Sequence, residues 1–104
     1  MGLDTTIYHT SGKPQDEPKE VAYWRKNWSI TEFIINKFGH EGDNNCREIL
    51  LNAEAIQETI TFLEGADVIE YHHYYTPSGD VETFKKLYNI LESEGGLLIF
   101  YAWW

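Results

Sequence analysis

The chain has 104 residues, the length of one domain, with 17 acidic against 8 basic side chains and a formal net charge of −9. That excess of carboxylate excludes recognition of nucleic acid through its phosphates, which requires a basic footprint, and suits a partner with a basic surface. Apolar residues make up 42% and aromatic residues 15%, enough for a packed core and too much for global disorder.

One cysteine, Cys46, excludes an internal disulfide and fits a reducing compartment. Met1-Gly2-Leu3-Asp4 lacks the basic start of a secretion signal, and no apolar run reaches the roughly 20 residues of a membrane helix. The expected setting is therefore cytoplasmic, away from a membrane.

Leu3 to Thr10 reads as a first strand, because Thr5, Thr6, Ile7 and Tyr8 favour extended backbone. Ser11 to Glu20, with Gly12, Pro14 and Pro18 among charges, reads as a loop. The spacing of Trp24, Trp28, Ile34, Ile35 and Phe38 predicts a helix over Val21–Phe38, with a start after Tyr23 as the alternative. Gly39 is expected to end it in the left-handed conformation. His40 to Asn45 is a polar turn, and Arg47 to Leu51 a short second strand.

Asn52 is a good cap for a second helix, Ala53–Glu64, whose buried stripe is Ile56, Thr59, Ile60 and Leu63. Val68 to Tyr75 reads as a strand by propensity, and Thr76 to Gly79 as a turn. Asp80 is expected to cap a third helix, Val81–Glu94, packed through Phe84, Leu87, Tyr88 and Leu91. After Gly95-Gly96 comes Leu97 to Trp104, uncharged throughout, which predicts a strand buried on both faces. Together these elements predict a single α+β domain over residues 1–104. Its three- to four-stranded sheet has the C-terminal strand central, and about three helices pack mainly on one face.

Met1-Gly2-Leu3-Asp4, Glu20-Val21-Ala22-Tyr23-Trp24-Arg25-Lys26, Asn45-Cys46, Ile90-Leu91-Glu92 and Phe100-Tyr101-Ala102-Trp103-Trp104 span nearly the whole chain. On these stretches it resembles a family of small phage and prophage proteins without an assigned function. That family opens with M-G-L-D and carries an E-V-x-Y-W-R-K segment. Its usual I-H-x-W helix is replaced here by Ile30-Thr31-Glu32-Phe33, so a role for that histidine does not transfer. The resemblance implies phage or mobile-element origin and a bacterial cytoplasm.

No catalytic signature stands out. His72 and His73 are neighbours and would point to opposite faces of a strand, so they cannot share a metal. Cys46 with His40 lacks any sign of a thiol activated by a base, and Cys46 is expected to be buried at a strand start. Glu41 and Asp43 lack the spacing of a calcium loop. No cofactor and no metal are expected.

The leading expectation is a non-enzymatic binding protein that meets a basic host-protein surface through carboxylates and aromatic anchors. In its specific form it is an inhibitor of a bacterial defence complex, anti-CRISPR-like. The residues expected to carry binding are Glu54, Glu58, Glu64, Asp67 and Glu70, with Tyr74 and Tyr75. The rival is a small enzyme or ligand-binding protein with a pocket near Tyr23, Arg25, Cys46 and His72, where side chains would converge. A monomer and a homodimer joined through the aromatics of the final strand are both compatible with the sequence.

Overall fold

The computed structural model describes residues 2–67, 71 and 75–104. The elements run β1 Asp4–Thr10, β2 Lys19–Arg25, α1 Trp28–Phe38, β3 Arg47–Leu51, α2 Ala53–Glu64, α3 Pro77–Glu94 and β4 Leu97–Trp103. The strands form one sheet in the order β2-β1-β4-β3, and every neighbouring pair is antiparallel. The architecture is α+β, with β4 in the interior of the sheet between β1 and β3.

The sheet has two unlike faces. Register brings Thr5 opposite Ala102, Ile7 opposite Phe100, and Ile49 and Leu51 opposite Phe100 and Leu98. These side chains are buried, and with Leu3, Trp24, Ile30, Ile34, Ile56, Leu63, Phe84 and Leu87 they form the core beneath the helices. Trp24 and Phe84 stack at 5.6 Å, and the Thr5 and Thr31 hydroxyls meet at 2.7 Å inside the β1–α1 contact. The alternate residues of β4, Leu97, Ile99, Tyr101 and Trp103, point to the other side and are exposed or half-buried. The expectation of a strand covered on both faces is thus corrected. An apolar run reads the same whether aromatics meet helices or open sheet, and here only one parity has helices over it.

The first predicted helix also divides. Lys19–Arg25 is a strand, and the helix begins only at Trp28. Trp24 and Trp28 are four apart, which mimics helical spacing, but they belong to different elements. The break lies between them: Lys26 adopts φ 62°, and Asn27 caps α1 by accepting from the Ile30 N–H at 3.3 Å. Tyr8 pairs with Glu20 and Ile7 with Ala22, so Val21 is a bulged residue that twists this edge strand.

At the far end of α1, Gly39 is not left-handed (φ −74°). It is needed for space, because a Cβ there would overlap the Ile35 carbonyl. The third helix starts earlier than expected, with Thr76 as its cap accepting from Gly79 N–H at 3.1 Å and Pro77 in its first turn. Most of the predicted strand Val68–Tyr75 lies outside the described residues; of its members Tyr71 is buried and Tyr75 half-buried.

The displaced cap, Asp80, becomes a three-way polar junction in the core. It is 4% exposed and accepts from Trp24 Nε1 at 2.9 Å, from Asn27 Nδ2 at 2.9 Å and from the Tyr71 hydroxyl. One carboxylate therefore ties β2, the start of α1, Tyr71 and the first turn of α3. Its site near a helix N-terminus adds favourable backbone dipoles.

Candidate functional site: an acidic groove between two helices

Helices α1 and α2 run beside each other on the covered side of the sheet, and a groove follows their seam. At one end a concavity of about 670 Å³ is bounded by Glu32, Phe33 and Lys37 of α1 and by Phe62, Asp67 and Tyr71. At the other, a hollow of about 400 Å³ shares Phe33, Lys37 and Phe62 and adds Glu54 and Glu58. Phe33 and Phe62 stack across the seam with ring centroids 4.1 Å apart and planes at 14°, forming an apolar floor between the two ends. Four carboxylates and one ammonium surround it, and Lys37 lies 4.0 Å from Glu58.

The seam has a local logic. The buried stripe of α2 is Ala55, Ile56, Thr59, Ile60 and Leu63, so Glu54, Glu58 and Phe62 fall beside it and not within it. Asn52 starts the helix by accepting from Ala55 N–H at 2.8 Å. Neither α2 nor α3 has a basic residue in its last turn. Glu64 ends α2, and Glu92 and Glu94 end α3, where the helix dipole is negative. Carboxylates at that end are unfavourable by about 0.3–1 kcal/mol each at low salt.

The structure brings Glu54, Glu58 and Asp67 to one groove and sets Glu64 on the exposed end of the same helix. Glu70 and Tyr74 lie outside the described residues. Tyr75 is occupied away from the groove. Its hydroxyl accepts from the Arg25 N–H at 2.8 Å and donates to the Arg25 carbonyl at 2.8 Å. One phenol thereby occupies both outward backbone groups at the end of β2, as a neighbouring strand would. The residues not foreseen are Glu32, Phe33, Lys37 and Phe62. Their signal in the sequence is a large aromatic standing off each helix's apolar stripe.

The rival pocket does not assemble. Tyr23 and Arg25 are on β2 and Cys46 immediately precedes β3, on opposite edges of the sheet with β1 and β4 between them. Three strand spacings separate those edges, about 14 Å. His72 lies outside the described residues. Cys46 is exposed, not buried, because its φ of 61° turns it out of the strand, and its thiol faces Asn45 Oδ1 at 3.7 Å. The His40 imidazole is engaged elsewhere, 2.7 Å from the Glu48 carbonyl. Among the described residues no three His, Cys, Asp or Glu side chains are grouped as metal ligands. No described helix is long and apolar enough to cross a membrane.

The open side of the sheet carries a second polar cluster. Asp4 accepts from the Tyr23 hydroxyl and from Trp103 Nε1 at 2.8 Å, linking β2, β1 and β4. The Tyr23 bond, followed by the Trp103 bond, holds the Asp4 carboxyl below its ordinary value, and the same Tyr23 bond raises the phenol. Compared with known proteins, the chain matches no family model, no curated protein and no solved structure.

Proposed function

We propose that this chain is a non-enzymatic binding protein of phage or mobile-element origin that occludes a basic protein surface through the α1–α2 groove. The observation that carries the reading is the stacked Phe33–Phe62 pair set among Glu32, Glu54, Glu58 and Asp67. An arginine or lysine side chain laid on those rings meets an aromatic face and carboxylates together, a pairing worth about 0.5–2 kcal/mol beyond burial. The carboxylates steer encounter, and the rings supply the desolvated centre that fixes residence time.

The origin rests on the resemblance carried by Met1–Asp4 and Glu20–Lys26. With that origin, the partner is a host protein whose basic surface normally holds nucleic acid, such as a component of a bacterial defence complex inhibited in the manner of an anti-CRISPR protein. The test is affinity capture from the bacterial host with the native chain and with Glu54→Lys/Glu58→Lys. The native chain should retain a basic, nucleic-acid-binding protein, and added salt should elute it. The double reversal should weaken capture at least tenfold, mostly through slower association. Equal capture by both chains would remove the groove from the binding surface.

A further inference from the structure

The groove leaves the opposite side of the molecule without a role, and that side holds most of its exposed apolar bulk. Leu50 is 63% exposed, Trp103 52%, Tyr23 50% and Leu97 45%, and all four stand on the outer face of the sheet, around the half-buried Tyr8, Ile99 and Tyr101. We propose that two copies of this chain pair back to back through these faces, giving a four-layer arrangement with helices outside and both acidic grooves pointing away from the junction. The proposal goes beyond the groove reading and does not depend on it.

Charge identifies the occupant. A chain of net charge −9 repels its own copy wherever its carboxylates lie. Within the strands, outward-facing charges are Asp4, Glu20 and Glu48 against Arg25, a net −2, and β4 contributes none. The remaining −7 lies elsewhere in the chain. A basic partner is drawn to the helical side, and a like-charged copy finds least resistance on the sheet.

The polar groups of this face are also prepared for burial. Both oxygens of Asp4 already have donors, from Tyr23 and Trp103, so covering the carboxylate strands no unpaired acceptor. The Tyr101 phenol is held above its ordinary value chiefly by its hydrogen bond with Cys46.

Strand addition at the edges is hindered at one position of each edge strand, which favours the face as the route. Tyr75 occupies the Arg25 backbone on β2, the Val21 bulge twists that edge, and His40 covers the Glu48 carbonyl on β3. Four strands about 4.8 Å apart and about 23 Å long present roughly 400 Å² in projection per copy, before side-chain relief. That is about half the usual area per partner of a specific interface, so the dimer should be weak and fill only at high protein concentration. Two open antiparallel sheets pack in this way at about 10 Å with strands rotated about 30°.

Sedimentation of the intact chain over a concentration series tests this. The native chain should approach twice 12.2 kDa as concentration rises. Added salt should strengthen the dimer by screening like charges, the reverse of its effect on a basic partner at the groove. Leu50→Glu/Leu97→Glu should be monomeric throughout, with the melting temperature that the native chain shows at its lowest concentration; Leu50→Arg alone should weaken the dimer at least tenfold, and Glu54→Lys/Glu58→Lys should leave it intact. A native chain that stays monomeric at every concentration and salt overturns the proposal. So does a dimer that survives Leu50→Arg and Leu50→Glu/Leu97→Glu.

Discussion

Asp80→Asn should lower the melting temperature by about 15 °C. The carboxylate is buried and accepts from three donors on three separate segments: Trp24, Asn27 and Tyr71. An amide keeps the shape but has one acceptor oxygen and two donor hydrogens, so at least one N–H or O–H is left facing another donor. Leaving buried polar groups mispaired costs about 1–3 kcal/mol each. We expect about 3 kcal/mol in total, which for a domain of this size moves the melting temperature by about 5 °C per kcal/mol.

Tyr71→Phe removes one donor and leaves two, so about 1 kcal/mol is expected. In the Asp80→Asn background its cost should shrink, because the two groups share one interaction. The pair also has a pH signature. Burial, then the bond to Asp80, raises the Tyr71 phenol far above its ordinary 10.0. The folded-state pKa exceeds the unfolded one, so this contribution is complete below about pH 10 and is lost as pH climbs from there toward the folded value. Thermal melts from neutral to strongly alkaline pH should show stability falling above about 10, and less steeply in Tyr71→Phe. An identical alkaline slope in both chains would assign that limb to other groups.

Asp80 also marks where sequence reasoning reaches its limit. A helix start near residue 80 is legible, and Asp is a good cap. The actual cap is Thr76, because Pro77 and Ser78 suit a first turn as well as they suit a loop. That an aspartate four residues on would meet Trp24 and Asn27, more than 50 positions away, is decided by tertiary packing. Helix α2 is readable to both ends because its cap, stripe and closing glycine agree. The segment around Trp24 misleads for the opposite reason, since strand propensity and helical spacing both fit it. Asn27, a good cap placed directly before Trp28, is the available arbiter.

The groove is half legible for a similar reason. Acids four apart on a helix can be read from spacing, which picks out Glu54 and Glu58. The Phe33–Phe62 stack arises from how two helices cross, and no local pattern encodes a crossing. The final strand repeats the lesson. Its place in the middle of the sheet follows from its apolar run. The exposure of Leu97, Ile99, Tyr101 and Trp103 follows from all three helices choosing one side.

Gly96→Ala should destabilise the fold by about 4 kcal/mol, a fall of about 20 °C in melting temperature. Gly96 feeds β4 from the end of α3 at φ 80°, a conformation that strains any residue with a Cβ by about 1–3 kcal/mol. Here a Cβ would also overlap the Thr10 carbonyl oxygen and come within 3.1 Å of both His9 Nε2 and Ser11 Cα. Two of these three are backbone atoms of the neighbouring strand end, so relief requires β1 and β4 to part at Thr10–Leu97, and overpacking adds about 1–3 kcal/mol.

The preceding glycine separates the two contributions. Gly95 also has positive φ, 68°, yet nothing lies within 4 Å of its Cβ position, so Gly95→Ala should show backbone strain alone, about 2 kcal/mol. Its carbonyl is held by His9 Nε2 at 2.8 Å, which ties the same corner to β1. Urea titrations of the two variants should therefore differ by about 2 kcal/mol, with Gly96→Ala the weaker. Equal midpoints would mean that strand ends β1 and β4 part freely at this corner, and that the sheet's hold on its last strand begins further along, at Leu98 and Phe100.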